Sequence, residues 1–63
     1  MDKTYNAYKI VFADGHTTYR SFWSQANAAA GTYFNDTGKE AKVYGFVGDK
    51  LHLIKTWRKA PRT

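Results

Sequence analysis

From residue 8 the chain alternates as a half-buried strand does. Tyr8-Lys9-Ile10-Val11-Phe12-Ala13 is rich in β-branched and aromatic side chains. Asp14-Gly15 follows, the dipeptide that best tolerates the two positive φ angles of a type I′ turn. The pattern then predicts a return strand over 16–22. A two-residue loop at Asp14-Gly15 pairs Phe12 with Thr17, Ile10 with Tyr19 and Tyr8 with Ser21. Those six residues are expected on one face, with Lys9, Val11, Thr18 and Arg20 on the other.

The period changes after residue 24. Ala26, Ala29, Ala30 and Tyr33 fall at i, i+3, i+4 and i+7, the stripe of an amphipathic helix. The predicted helix runs over 25–34, with the Ser24 hydroxyl as N-cap and alanines favouring it. Gly31 costs about 1 kcal/mol there relative to alanine. Asn35-Asp36-Thr37-Gly38 ends it, Gly38 being suited to a left-handed cap. A helix lined by alanine can approach a sheet closely.

Segments 42–47 and 51–57 predict a second hairpin around Gly48-Asp49-Lys50. A two-residue loop at Gly48-Asp49 or at Asp49-Lys50 gives the same faces: Tyr44, Phe46, Leu51, Leu53, Lys55 and Trp57 together, and Val43, Gly45, Val47, His52 and Ile54 opposite. The expected fold is α+β, a single-domain ββαββ antiparallel sheet with one helix packed on one face. Residues 1–6 are expected to be a flexible terminus, 7–57 the domain and 58–63 a basic tail containing Pro61.

One helix covers one face only, and the second hairpin is apolar on both, so its period does not say which side is buried. In one arrangement Tyr44, Phe46, Leu51 and Leu53 fill the core. The outer face then carries Lys9, Val11, Arg20, Val43, Val47, His52 and Ile54, a patch suited to a protein partner or a second copy. In the other, Val43, Val47 and Ile54 point inward. Tyr44, Phe46 and Trp57 then stand outward beside Lys9, Arg20, Lys42 and Lys55, a surface for stacked bases and phosphates.

Charge adds an asymmetry. Residues 1–49 hold five cations and five acids, whereas Lys50, Lys55, Arg58, Lys59 and Arg62 follow with no acid, so the net charge of +5 lies in the last fourteen residues. That suggests a polyanionic partner. In the tail, Lys55, Arg58, Lys59 and Arg62 surround Trp57, which either adds a stacking contact or anchors the last strand. Sixty-three residues with eleven aromatics and no cysteine make one small folded domain without disulfide or thiolate support. There is no long apolar run and no signal-like start, so the chain reads as cytoplasmic and complete from Met1.

Lys42-Val43-Tyr44-Gly45-Phe46-Val47 resembles the RNP1 segment of RNA-recognition motifs, where two aromatics flank a small residue on a sheet surface. Val43 stands where that pattern has glycine and Asp49 where it has a final aromatic. The resemblance implies stacking by Tyr44 and Phe46 and a phosphate contact by Lys42.

Catalysis has little to draw on. His16 and His52 lack a cysteine or a ligand-spaced second histidine, and Asp14 and Asp49 are accounted for by turn chemistry. Ser21 and Ser24 lack a nucleophile elbow, and the glycines form no phosphate loop. The expectation is a non-enzymatic nucleic-acid-binding protein without cofactor, metal or membrane, using Lys9, Arg20, Lys42, Tyr44, Phe46, Lys55, Trp57, Arg58, Lys59 and Arg62. The alternative is an accessory module, of a phage-encoded type, that docks a protein or dimerises through an apolar sheet face. Small one-helix sheets occur among DNA-binding and phage-encoded proteins, an analogy of outline alone.

Overall fold

A computed structural model describes residues 5–59. Its elements are β1 (Tyr8–Phe12), β2 (Thr17–Arg20), α1 (Trp23–Thr37), β3 (Ala41–Val47) and β4 (Lys50–Trp57). The four strands form one antiparallel sheet in the order β2-β1-β3-β4. Since β2 and β3 are both antiparallel to β1, the chain crosses from one to the other through α1. The helix therefore lies over the central strands, and the opposite face has no layer above it among the described residues.

The first hairpin differs from the expected register by one residue. Val11 pairs with Thr17, Ile10 with Thr18, Lys9 with Tyr19 and Tyr8 with Arg20. The connection is a three-residue loop, Ala13-Asp14-Gly15. The Gly15 N–H donates to the Phe12 carbonyl at 2.9 Å, and the Phe12 N–H donates to the His16 carbonyl at 2.9 Å. Gly15 takes φ 94°, the left-handed residue that closes such loops, while among the described residues no non-glycine φ is positive, which rules out type I′ at Asp14. Asp14 accepts the His16 N–H at 3.0 Å, which with the His16 ring holds its carboxyl below the usual value. Because side chains alternate with period two, the slip reverses β2. Tyr19 moves to the uncovered face, and Thr18 and Arg20 move to the helix side.

The helix also starts earlier than expected. Its N-cap is Phe22, without a side-chain cap bond, and Ser24 lies within the first turn. The first closing bond runs from the Ala26 N–H to the Phe22 carbonyl at 3.0 Å, and Trp23 packs on Tyr8 with ring centroids 5.8 Å apart. Tertiary packing sets this start. At the other end Gly38 takes φ 73° and donates its N–H to the Phe34 carbonyl at 2.7 Å, the left-handed cap its sequence predicts.

The core is small: Tyr8, Ile10, Ala26, Ala30, Ala41 and Val43 are buried, with Phe12, Tyr33, Ile54, Trp57 and Tyr5 packed against them. Ala26 and Ala30 lie on the predicted stripe. On β3 the small residues Ala41, Val43 and Gly45 are the buried ones, which admits the alanine-lined helix closely. Tyr5 occupies the space over Gly45, where an added Cβ would lie 2.3 Å from its Cδ1. The Asn6 N–H donates to the Phe46 carbonyl at 3.0 Å. Tyr5 and Asn6 thus contact the domain, within the stretch 1–6 expected to be a flexible terminus; residues 1–4 lie outside the described range.

The second hairpin closes at Gly48-Asp49, with Val47 paired to Lys50 and Gly48 at φ 63°. Its register shifts once: Tyr44 pairs with Leu53 but Val43 with Lys55, leaving Ile54 as the extra residue of a β-bulge. The bulge exchanges faces along β4. Leu51 and Leu53 share the face of Phe46 and Tyr44, whereas Lys55 and Trp57 turn to the helix side, correcting the expected grouping. Trp57 donates its indole N–H to Asn27 Oδ1 at 3.2 Å, and its ring lies 3.2 Å from where a Gly31 Cβ would be. That close approach accounts for a glycine in mid-helix.

Gly45→Ala should cost about 1–3 kcal/mol of stability, because Tyr5 must leave its seat or strain the strand. Denaturant midpoints measure this. The cost should shrink in a Tyr5→Ala background, since the two residues share one contact.

Candidate functional site

The uncovered face follows from the registers. Ile10 and Val43 pair with each other and are fully buried beneath the helix, so alternation sends Lys9, Val11, Lys42, Tyr44 and Phe46 to the other side. For Val43, Ile54, Tyr44 and Phe46 this is the second of the two arrangements open from sequence, whereas Val47 is 40% exposed and Trp57 packs against the core. The first is overturned: Val43 is core, Ile54 packs against it, and Tyr44 and Phe46 are half-buried on the open face. Their surface placement agrees with what the RNP1-like segment implied.

Tyr19, Lys9, Tyr44 and Leu53 form one row across β2, β1, β3 and β4. Phe46 and Leu51 are paired beside it, and Thr17, Val11, Lys42 and Thr56 form the row on its other flank. At about 4.8 Å per strand, Tyr19 and Tyr44 stand roughly 10 Å apart with Lys9 between them. Tyr19 is 56% exposed, and its ring lies 6.2 Å from that of Phe46 with an interplanar angle of 21°. The two reach across β1 near Ala7, whose carbonyl accepts the Phe46 N–H at 2.9 Å. A small residue there leaves room for the rings to meet.

The electrostatics are one-sided. The four strands contain Lys9, Arg20, Lys42, Lys50 and Lys55 and no carboxylate. Glu40, just before β3, approaches Lys42 at 3.6 Å in an exposed pair, which is worth little and leaves the lysine available to an external anion. Among the described residues Lys9 has no ion pair.

The expected site residues divide accordingly. Lys9, Lys42, Tyr44 and Phe46 are brought together on the open face. Arg20 is not among them: it lines a groove with Phe12, Thr18, Gln25, Ala28 and Thr32, and donates to the Thr18 hydroxyl at 2.7 Å and to the Tyr19 carbonyl at 2.8 Å. Lys55 lies over the Trp57 ring, 4.1 Å from its centroid, on the helix side. Trp57 itself anchors β4 to α1. Arg58 and Lys59 are exposed beyond it, and Arg62 lies outside the described residues. Tyr19 is the open-face aromatic that the sequence places on the opposite side. The signal that would have found it is Gly15, which fits the last position of a three-residue loop as well as a two-residue turn.

Among the described residues no helix is long and apolar enough to cross a membrane. No family model, curated protein or solved structure matches the chain.

Proposed function

We propose that this is a non-enzymatic nucleic-acid-binding protein whose working surface is the uncovered sheet face. The observation that carries this is the placing of Tyr19, Tyr44 and Phe46 around Lys9 and Lys42, on strands that hold no carboxylate. Aromatic rings on such a face contribute about 1–3 kcal/mol per stacked base, and the cations follow phosphates. The last strand delivers Arg58 and Lys59 from the end of the sheet where Lys42 pairs with Thr56, extending the positive charge past the platform, and Arg62 follows them in the sequence.

Titration of a labelled oligonucleotide at low salt tests this, with saturable binding expected. Removal of residues 58–63 takes away three cations and should make the slope of log K against log salt shallower by about 2 for a single strand. An unchanged slope would remove the tail from the interface; absence of binding at low salt would contradict the proposal.

A second reading rests on Leu51 and Leu53, which are 41% and 54% exposed on the same face. Such a patch suits a protein partner or a second copy. Sedimentation separates the two: a stable dimer abolished by Leu53→Glu, together with no oligonucleotide binding, would favour it.

A further inference from the structure

We infer that the ligand of the open face is a single strand and not a duplex, and that Tyr19 supplies its third stacking ring; this rests on the nucleic-acid reading above. Three features of the molecule point the same way. First, duplexes are commonly entered by a helix whose basic residues meet phosphates while its side chains reach base edges. The helix here, WSQANAAAGTYFNDT, has no lysine or arginine and carries Asp36 near its end. A cation-free helix gains nothing from counterion release when it approaches phosphates. Second, a two-stranded ribbon can also enter the major groove, but the tip between β1 and β2 is Ala13-Asp14-Gly15, whose charged member is an acid. The other tip, Gly48-Asp49, again carries an acid.

Third, what the face offers is the π-surface of rings, and base faces are open to it only in unpaired strands. Tyr19 and Phe46 are stacked near-parallel, so each ring supports the other and a base can continue the stack, and Tyr44 stands across Lys9 from Tyr19. The cation between two aromatic positions is where a backbone phosphate would pass when successive bases stack on either side. Nothing in this arrangement selects a base edge, so sequence-tolerant binding is expected.

The test uses the full chain with fluorescein-labelled oligothymidine and oligouridine of about 12 nucleotides, within the range a small sheet surface occupies, and a duplex of the same length. Anisotropy titrations at about 50 mM salt should show at least tenfold tighter binding of a single strand than of the duplex. Tyr19→Leu, which keeps apolar cover but removes the ring, should weaken single-strand binding about fivefold or more. Tyr19→Phe should stay within about twofold of the unmodified chain, because the π-face persists. Duplex binding equal to or tighter than single-strand binding, or an unchanged affinity in Tyr19→Leu, overturns the inference while leaving nucleic-acid binding standing. Absence of binding to all three probes overturns the nucleic-acid reading itself.

Discussion

The double replacement Tyr44→Leu/Phe46→Leu leaves the chain folded and lowers its affinity for a single-stranded oligonucleotide by roughly 30-fold or more. The magnitude follows from two stacking rings at about 1 kcal/mol each at the least, with about 1.4 kcal/mol corresponding to a factor of ten. Folding survives because both side chains are half-buried on a face with no layer above it among the described residues, and leucine keeps the sheet surface covered. The stacked Tyr19–Phe46 contact is lost as well, at a stability cost of about 0.5–1.5 kcal/mol. Circular dichroism and thermal melting measure the fold, and anisotropy measures the affinity. If the variant unfolds, Tyr44 and Phe46 are structural residues; if it folds and binds as before, they are not the platform.

Ile10→Ala has the largest expected effect on stability. Ile10 is fully buried at the centre of the sheet, paired with Thr18 on one side and with Val43 on the other, beneath the alanine face of the helix. Truncating such a side chain costs about 2–5 kcal/mol. A core in a chain this short supplies roughly 3–5 kcal/mol in total. The variant should therefore be largely unfolded at 25 °C, with loss of cooperative melting. A transition lowered by only a few degrees would mean that the core is more redundant than its few buried residues indicate.

Much of this fold is legible in the sequence where two signals coincide. Tyr8, Ile10 and Phe12 alternate on β1 and all turn to the helix side. Ala26 and Ala30 meet them along a stripe of helical period, and Gly38 caps the helix as its φ of 73° requires. Legibility fails where one residue changes a register. Asp14-Gly15 serves equally as a two-residue turn or as the end of a three-residue loop, and the difference exchanges the faces of Tyr19 and Arg20. On β4, Ile54 sits between Leu53 and Lys55 with nothing in its composition to mark a bulge, yet it turns Trp57 from the open face to the helix.

The face of β3 was undecided by period because Val43 and Val47 alternate with Tyr44 and Phe46. Size decides it. The close approach of an alanine-lined helix selects Ala41, Val43 and Gly45, and Gly45 is further fixed by Tyr5 lying over it. The candidate site was accordingly half visible: Lys42, Tyr44 and Phe46 came from the RNP1-like segment and Lys9 from strand alternation. Tyr19 depends on a loop length, and the turn and the bulge carry Arg20, Lys55 and Trp57 to the face opposite the one their alternation predicts.

Chemical-shift mapping of the full chain during titration with oligothymidine tests the central claim most directly. Saturable perturbations are expected at Lys9, Tyr19, Lys42, Tyr44 and Phe46, with little change at the exposed helix positions Ala28 and Thr32. Perturbations concentrated on α1, or none on β1 and β3, would contradict the assignment of the open sheet face as the binding surface.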